Sequence, residues 1–404
     1  MTPLSFIPPA TCPPTAFMPS RHATPRVLTA SYGVFEAMAR GLSDYGQRTL
    51  AGRVTPFAAV ADALAWWSAV TNRRTPTWSN PHEIVFETPV ARLRDFSQGA
   101  EDDIVPTLVL PPQAGHDSCI VDYSRAQSQL LVIRAAGLTR LYSMDWVGAT
   151  EATKDTSIQD YLDVIGRAID HIGGPVNLIG DCQGGWLATI YAALHPEQVH
   201  TLTLAGAPID MHAGDAAIND YVRHFSDGGD MAFFEWLVGS GDGVLKGELM
   251  VAGFIAMKPD DEISRQLALL GRMDDPDYVA RYAAFEDWFK HTQDIPGAFY
   301  LWIVKHLFRD NELVRGVLEI GGERVDLNRI GCPVNLLAGA NDHITPPAQL
   351  FALADAVSTP PEQIVKRLAS GGHLGLFMGS KALREDWPPV LANVHAVSTR
   401  AARS

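Results

Sequence analysis

The sequence predicts an α/β protein built on a mostly parallel sheet, with a helical insertion and a helical N-terminal extension. Three observations carry that expectation. Between about residues 104 and 208, short apolar runs alternate with helix-length amphipathic stretches, the pattern of parallel strands returned through covering helices. From 209 to about 323 the alternation stops, and only helical pieces rich in large apolar residues remain, among them DMAFFEWLV, VAGFIAMKP, YVARYAAFEDWF and GAFYLWIVKHLF. Strand character then returns in PVNLLAGANDH and EQIVKRLASGGHLG, so a sheet begun before the insertion is finished after it. The expected division is a Pro-rich arm with N-terminal helices over 1–80, a core over 81–208 and 324–404, and a helical cap over 209–323.

The N-terminus, MTPLSFIPPATCPPTAFMPSRHATP, is rich in proline and lacks both a basic start and an apolar core of signal-peptide length. It reads as a flexible or surface-draped arm, with neither a secretion signal nor a mitochondrial presequence. GVFEAMARGLSDYGQRTL and TPFAAVADALAWWSAVTNRR then show helical spacing, the second with Thr55 as N-cap and Pro56 at the first helical position. HEIVFETPVARLRDF, PTLVLPP and LTRLYSMDW read as strands, with a helix near Tyr123 to Ala136 before the last of them. In SIQDYLDVIGRAIDHIG the residues Ile158, Tyr161, Leu162, Val164 and Ile165 share one helix face, Ser157 caps it, and Gly173 or Gly174 stops it. A strand over Val176 to Ile179, a helix over Trp186 to Leu194 and a strand in VHTLTLAGAP follow.

A chain of 404 residues with 47% hydrophobic content can bury a large core. Net charge is −14, from 32 basic and 46 acidic residues, and no basic run exceeds NRR, which excludes nucleic acid as a partner. The four cysteines, at 12, 119, 182 and 332, have neither metal-ligand spacing nor a disulfide framework. That fits a reducing cytoplasm, and neither zinc nor another metal or bound cofactor is expected. No stretch of 18 apolar residues occurs, so no transmembrane helix is expected, while attachment to an apolar surface by other means stays open.

The chemistry centres on VNLIGDCQGGWLATIYAALHPEQV, where a strand turns into a helix without a loop. So sharp a bend strains its central residue and needs small neighbours, supplied by Gly180, Gly184 and Gly185. The apex is Cys182, and this is the elbow on which α/β-hydrolases expose a nucleophile, with cysteine in place of the usual serine. A thiol nucleophile needs a base, and the base needs an acid to hold its tautomer; in this fold the chain order is nucleophile, acid, base. PVNLLAG ends in ANDHITPP, which puts Asp342 at the carboxyl end of a buried strand. QIVKRLA is followed by SGGHLGLF, where Gly371 and Gly372 carry His373 over the sheet edge. Each has a plainer alternative: Cys182 as inert packing, Asp342 as a turn former, His373 as a loop histidine. His343 competes for the base and Asp210 for the acid, but the joint placement at successive strand ends favours Cys182, Asp342 and His373. An oxyanion hole would use the backbone N–H of Gln183 and a second amide from LPPQAGHDS, at Gly115 or His116. The His116 side chain would either take part or cap the following helix. Cys119 and Cys332 read as core, and the cap aromatics either line a greasy substrate channel or form the cap's own core.

The box Gly180-Asp181-Cys182-Gln183-Gly184-Gly185 resembles the Gly-x-Cys-x-Gly-Gly of the polyhydroxyalkanoate synthases, which polymerise 3-hydroxyacyl-coenzyme A thioesters into a storage polyester. The resemblance continues through IYAALHPEQVHTLTLAGAPID, NELVRGVLEIGGERVDLNRIGCPVNLLAGANDHITPP and SGGHLGLFMGSKA, much as in the shorter catalytic subunits of two-subunit synthases, and covers roughly Ile104 to Val390. It implies Cys182 as nucleophile, Asp342 as acid and His373 as base. It implies an acyl-cysteine formed from a 3-hydroxyacyl-CoA and passed to a polyester chain, with the coenzyme A thioester as substrate. Partners are then a second copy in a homodimer or an accessory synthase subunit, and the place is the cytoplasm or the storage-granule surface. PQAGHDSCIVDY and EIVFETPVARLRDF are instead similar to intracellular polyhydroxyalkanoate depolymerases, although their cysteine is followed by Gln-Pro rather than Gln-Gly-Gly. Trp186 stands where the synthases carry a small polar residue. The alternatives are therefore a depolymerase or hydroxyacyl thioesterase, and a non-catalytic granule-associated protein on the same fold. A dienelactone-type hydrolase also has a cysteine elbow but is smaller and lacks the long cap.

Overall fold

The computed structural model describes residues 24–50, 56–99, 104–226, 229–257 and 259–401. They fall in two compact units, one of Met1–Val70 with Lys258–Val279, the other of Thr71–Met257 with Ala280–Ser404. In the smaller unit, α1 (Thr24–Leu50) and α2 (Pro56–Thr71) accompany α9 (Pro259–Leu270). Gly41 lets α1 and α9 approach closely, since a Cβ there would lie 2.4 Å from Leu267 Cβ. Trp66 Nε1 on α2 donates to Gln266 O at 2.8 Å. Pro56 opens α2; Thr55 and the Pro-rich arm before residue 24 lie outside the described residues.

The main sheet of the larger unit is made of β1 (Glu83–Glu87), β2 (Ala91–Asp95), β3 (Thr107–Leu110), β4 (Leu141–Trp146), β5 (Val176–Asp181), β6 (Val199–Ala205), β7 (Val334–Gly339) and β8 (Ile364–Ala369), in the order β1-β2-β4-β3-β5-β6-β7-β8. The segment between β6 and β7 adds two short antiparallel pairs, Val244–Leu245 with Ile295–Pro296 and Glu319–Ile320 with Glu323–Arg324, where the sequence predicts helices alone. β2 runs against both its neighbours, and every pairing from β4 to β8 is parallel. This order, with its reversed second strand, is that of the α/β-hydrolase fold. β3, β5 and β7 are buried along their whole length, as strands covered on both faces must be, whereas edge strand β8 is half-exposed. HEIVFETPVARLRDF is a hairpin, β1 and β2, because Pro89 has no N–H for a ladder and Thr88 closes a turn by bonding Ala91 in both directions.

Among the sheet-covering helices, α3 (Gln129–Ala135) starts later than the spacing predicts. Asp122 accepts from Ser79, Asn80 and Ser128, which ties residues 118–122 into a 3-10 turn and leaves Ser128 to cap α3. In α4 (Ile158–Ile172) the expected bounds appear: Ser157 and Asp160 form a capping box, and Gly173 ends the helix at φ 92. α5 (Gln183–Leu194) follows the elbow. Between β6 and β7 come α6 (Ala217–Phe225), α7 (Ala232–Ser240), α8 (Gly247–Met257), α10 (Pro276–Phe289) and α11 (Gly297–Trp302), which continues as a π-turn through Arg309. α12 (Pro347–Phe351), α13 (His373–Met378) and α14 (Trp387–Ala401) complete the chain. An aromatic path joins sheet to insertion: Trp146 meets Tyr161 edge-on, Tyr161 meets Phe299 at 4.5 Å, and buried Trp186 touches Phe299 and Trp302. No helix among the described residues is long and apolar enough to cross a membrane.

Candidate active site

Cys182 sits between β5 and α5 at φ 50, ψ −116, a conformation that costs a non-glycine residue on the order of 1–3 kcal/mol and persists only where its surroundings dictate it. They do so here. Cys182 N donates to Ala205 O at 2.8 Å, and Gly185 N donates to Cys182 O at 2.9 Å. The flanking positions have no room for a side chain: a Cβ on Gly184 would lie 2.0 Å from Leu110 O, and one on Gly180 2.6 Å from Gly184 O. Gln183 is the first residue of α5, so its N–H has no acceptor within the helix and is available to an oxyanion beside Cys182.

Asp342 lies three residues beyond β7. Its Oδ1 accepts from the backbone N–H groups of Ile344 and Thr345 at 2.9 and 2.8 Å, which aims Oδ2 at His373. His373 opens α13, and its Nδ1 lies 2.7 Å from Asp342 Oδ2. A carboxylate only accepts, so Nδ1 carries the proton and Nε2 is left for the substrate side. Both side chains are almost wholly buried. The His373 ring is within hydrogen-bonding reach of the Cys182 thiol and meets the Phe377 edge at 5.5 Å. Burial pushes the imidazole down, but the adjacent Cys182 and Asp342 charges and their hydrogen bonds outweigh it and hold it well above its usual value. Such an environment favours the imidazolium form of His373 beside the cysteine.

Of the competing residues, Asp210 is engaged elsewhere. Asp210 Oδ1 accepts from His212 N at 3.0 Å and Asn311 Nδ2 at 2.8 Å. His343 is half-buried beside Asp342, and its backbone oxygen receives Ala217 N. Cys119 is fully buried and burial pushes its thiol far up; burial likewise pushes Cys332 up to about 11. Neither is primed for attack.

The loop after β3 is bonded to the insertion. Gly115 O accepts from Gln293 N, Asp117 O from Trp288 Nε1 at 2.8 Å, and Asp117 Oδ2 from Gln293 Nε2 at 3.1 Å. His116 stacks on Trp288 at 4.6 Å and on Phe289 at 5.3 Å, with Nε2 3.1 Å from Phe289 O. Burial lowers its imidazole to about 4, so the ring is neutral. The His116 side chain is thus a strut between loop and insertion, and the following turn is capped by Asp117, which accepts from Cys119 N. Sequence reasoning passed over two residues here, Asp181 and Gln129, bonded to each other beneath the elbow. Their signal was an acid ending an otherwise uncharged strand, directly before the cysteine.

Residues 92–402 match the family described as "Protein of unknown function (DUF3141)". The chain is 29% identical over 257 residues to "Poly(3-hydroxyalkanoate) polymerase subunit PhaC" of Allochromatium vinosum, across 62% of this chain and 70% of that protein. It is 26% identical over 326 residues to the protein of the same name in Synechocystis, across 78% and 83%. With "Uncharacterized protein in ackA 5'region" of Rhizobium meliloti it shares 28% over 315 residues, 72% of this chain and 41% of that one. Among solved structures it is similar to an epoxide hydrolase of Bacillus megaterium, with TM-score 0.48 and 13% identity over 76% of this chain and 99% of that one. The family match spans the cysteine elbow and the aspartate–histidine pair alike, and the chain belongs to that family, Protein of unknown function (DUF3141), on an α/β-hydrolase fold and with poly(3-hydroxyalkanoate) polymerases among its relatives.

Proposed function

We propose that the protein is an acyltransferase of polyhydroxyalkanoate metabolism, forming an acyl-cysteine on Cys182 from a 3-hydroxyacyl-CoA and passing it to a polyester chain. The observation that carries the reading is the buried imidazole of His373, bonded to Asp342 at 2.7 Å and within reach of the Cys182 thiol. The similarity to proteins named polymerases supports the substrate class. His373 Nε2 takes the thiol proton, and the thiolate attacks the thioester carbonyl. The developing oxyanion accepts from Gln183 N–H and from a second amide of the Gly115–His116 loop. Collapse breaks the bond between carbonyl carbon and coenzyme A sulfur, and the imidazolium returns its proton to that sulfur. In the second half His373 takes the proton of a chain-end hydroxyl, the oxygen attacks the acyl-cysteine, and Cys182 leaves with the proton. Asp342 holds the tautomer throughout.

Water reaching the same intermediate would give hydrolysis, the outcome suggested by the depolymerase-like PQAGHDSCIVDY. Such an acyltransferase would work in the cytoplasm, at the granule surface, as a homodimer or with an accessory subunit. The test incubates the purified protein with 3-hydroxybutyryl-CoA, and separately with amorphous polyester granules. Release of coenzyme A with insoluble polymer supports the proposal. Coenzyme A with monomeric acid means a thioesterase, and soluble products from granules alone mean a depolymerase. Silence in both that no accessory subunit relieves, with Cys182 inert to alkylation, means a non-catalytic granule protein.

A further inference from the structure

The last residue of β5 is an aspartate with no exposure to solvent. A carboxylate withdrawn from water needs several donors, and Asp181 has one: the Gln129 Nε2 amide, 3.2 Å from Oδ1. Its Oδ2 has no hydrogen-bond partner among the described residues, and neither has Oε1 of the same Gln129. Two orphaned acceptors on side chains already joined by one bond are a poor arrangement for a carboxylate and a good one for a carboxylic acid. With hydrogen on Oδ2, Asp181 offers Gln129 one donor and one acceptor, and the amide offers the converse pair in return. The groups acting on Asp181 are Gln129 from α3 and the His373 imidazole from α13, and Cys182 follows it in the chain. Burial pushes its carboxyl up to about 8, against the smaller opposing pulls of the Gln129 bond and the His373 charge.

We propose that Asp181 is a positioning residue that works as a protonated acid, forming with Gln129 a neutral strut beneath the Cys182 elbow and leaving Asp342 as the carboxylate that serves His373. What this means for turnover rests on the acyl-cysteine reading; the state of the proton does not. Ionised, Asp181 would loosen the strut and set a second negative charge beside the thiolate. The protein therefore keeps its elbow intact only while this proton is held.

The test compares the wild type with Asp181→Asn, whose amide supplies the same donor and acceptor without a proton to lose, and with Asp181→Ala, which supplies neither. Two quantities are followed from pH 5 to pH 9: the melting temperature, and the rate of Cys182 alkylation by iodoacetamide, located by mass spectrometry. An acid that is protonated in the fold but ionised in the unfolded chain stabilises fully below about pH 4, and that contribution is lost as pH rises to about 8. The Asn variant should accordingly gain on the wild type in melting temperature between pH 5 and pH 8. Its alkylation rate at pH 7 should stay within about threefold of wild type, and the wild-type inflection near pH 8 should vanish, while the Ala variant reacts about tenfold more slowly. An Asn variant that folds but reacts about tenfold more slowly at pH 7, or whose melting temperature shows no pH-dependent gain, would overturn the proposal. If Cys182 reacts in no variant, the acyl-cysteine reading fails and the melting comparison still decides the proton. If Asp181→Asn does not fold, infrared spectra of aspartate-labelled wild type at pH 6 and pH 9 decide it: a buried protonated carboxyl band at the lower pH supports the strut, and its absence refutes it.

Discussion

At the scale of single residues, what separates Cys182 from Cys119 and Cys332 is company rather than depth alone. Cys182 has an imidazole within reach, and that imidazole is backed by a carboxylate held by two backbone N–H groups. Cys182→Ala should therefore abolish coenzyme A release from 3-hydroxybutyryl-CoA with an unchanged melting temperature, while Cys119→Ala and Cys332→Ala stay active; turnover by the Cys182 variant would refute its role. His373→Ala should cost on the order of a thousandfold or more in kcat/KM and Asp342→Asn nearly as much. Asp210→Asn should be mild, because its Oδ1 serves His212 N and Asn311. A larger loss at Asp210 than at Asp342 would move the acid to the end of β6. The placement of Cys182, Asp342 and His373 just past strand ends was legible because chain order and flanking glycines mark those ends. Asp181 was not, since an acid within the box betrays nothing of its burial until α3 is laid over it.

At the scale of elements, the elbow depends on close backbone approach. Gly184→Ala would drive a methyl group into Leu110 O, an overlap that β3 relieves only by moving. Its cost should be about 2–3 kcal/mol or more, read from the urea midpoint, together with loss of Cys182 alkylation; an alanine variant of wild-type stability would show the elbow to be looser than drawn. The strut between loop and insertion carries its own pH signature. His116 is held neutral to about pH 4 but ionises near pH 6.5 when unfolded. Its contribution is complete above that value and is lost as pH falls toward 4, by up to ~3 kcal/mol. His116→Phe should flatten the fall in melting temperature between pH 6.5 and pH 4, and an unchanged slope would count against the strut. The bounds of α4 were readable because its caps are local, whereas the late start of α3 hangs on Ser79 and Asn80, far back along the chain.

For the whole molecule, the alternation of strands and helices made the parallel sheet legible, and the helix-rich stretch showed where it is interrupted, although its short two-residue strand pairs carry too little pattern to be read. The grouping of Lys258–Val279 with the N-terminal helices rests on contacts such as Trp66 with Gln266, and no local pattern announces a pairing that distant. A chain lacking residues 1–70 should show faster amide exchange over 259–270 while the strands β3 to β7 keep their protection; unaltered exchange there would mean that α9 holds its structure unaided. The interruption also sets a timetable. β6 pairs with β7, Leu202 against Val334, and everything between is made before that seam can close. At roughly 5–20 residues per second of synthesis, Cys182 waits roughly ten seconds or more for Asp342 and His373 to emerge. During that wait the thiol has no base and β6 offers an unpaired edge, so a nascent chain is chemically quiet at the very stage when it is most prone to join a neighbour's strand. Closing the seam ends both conditions in one event.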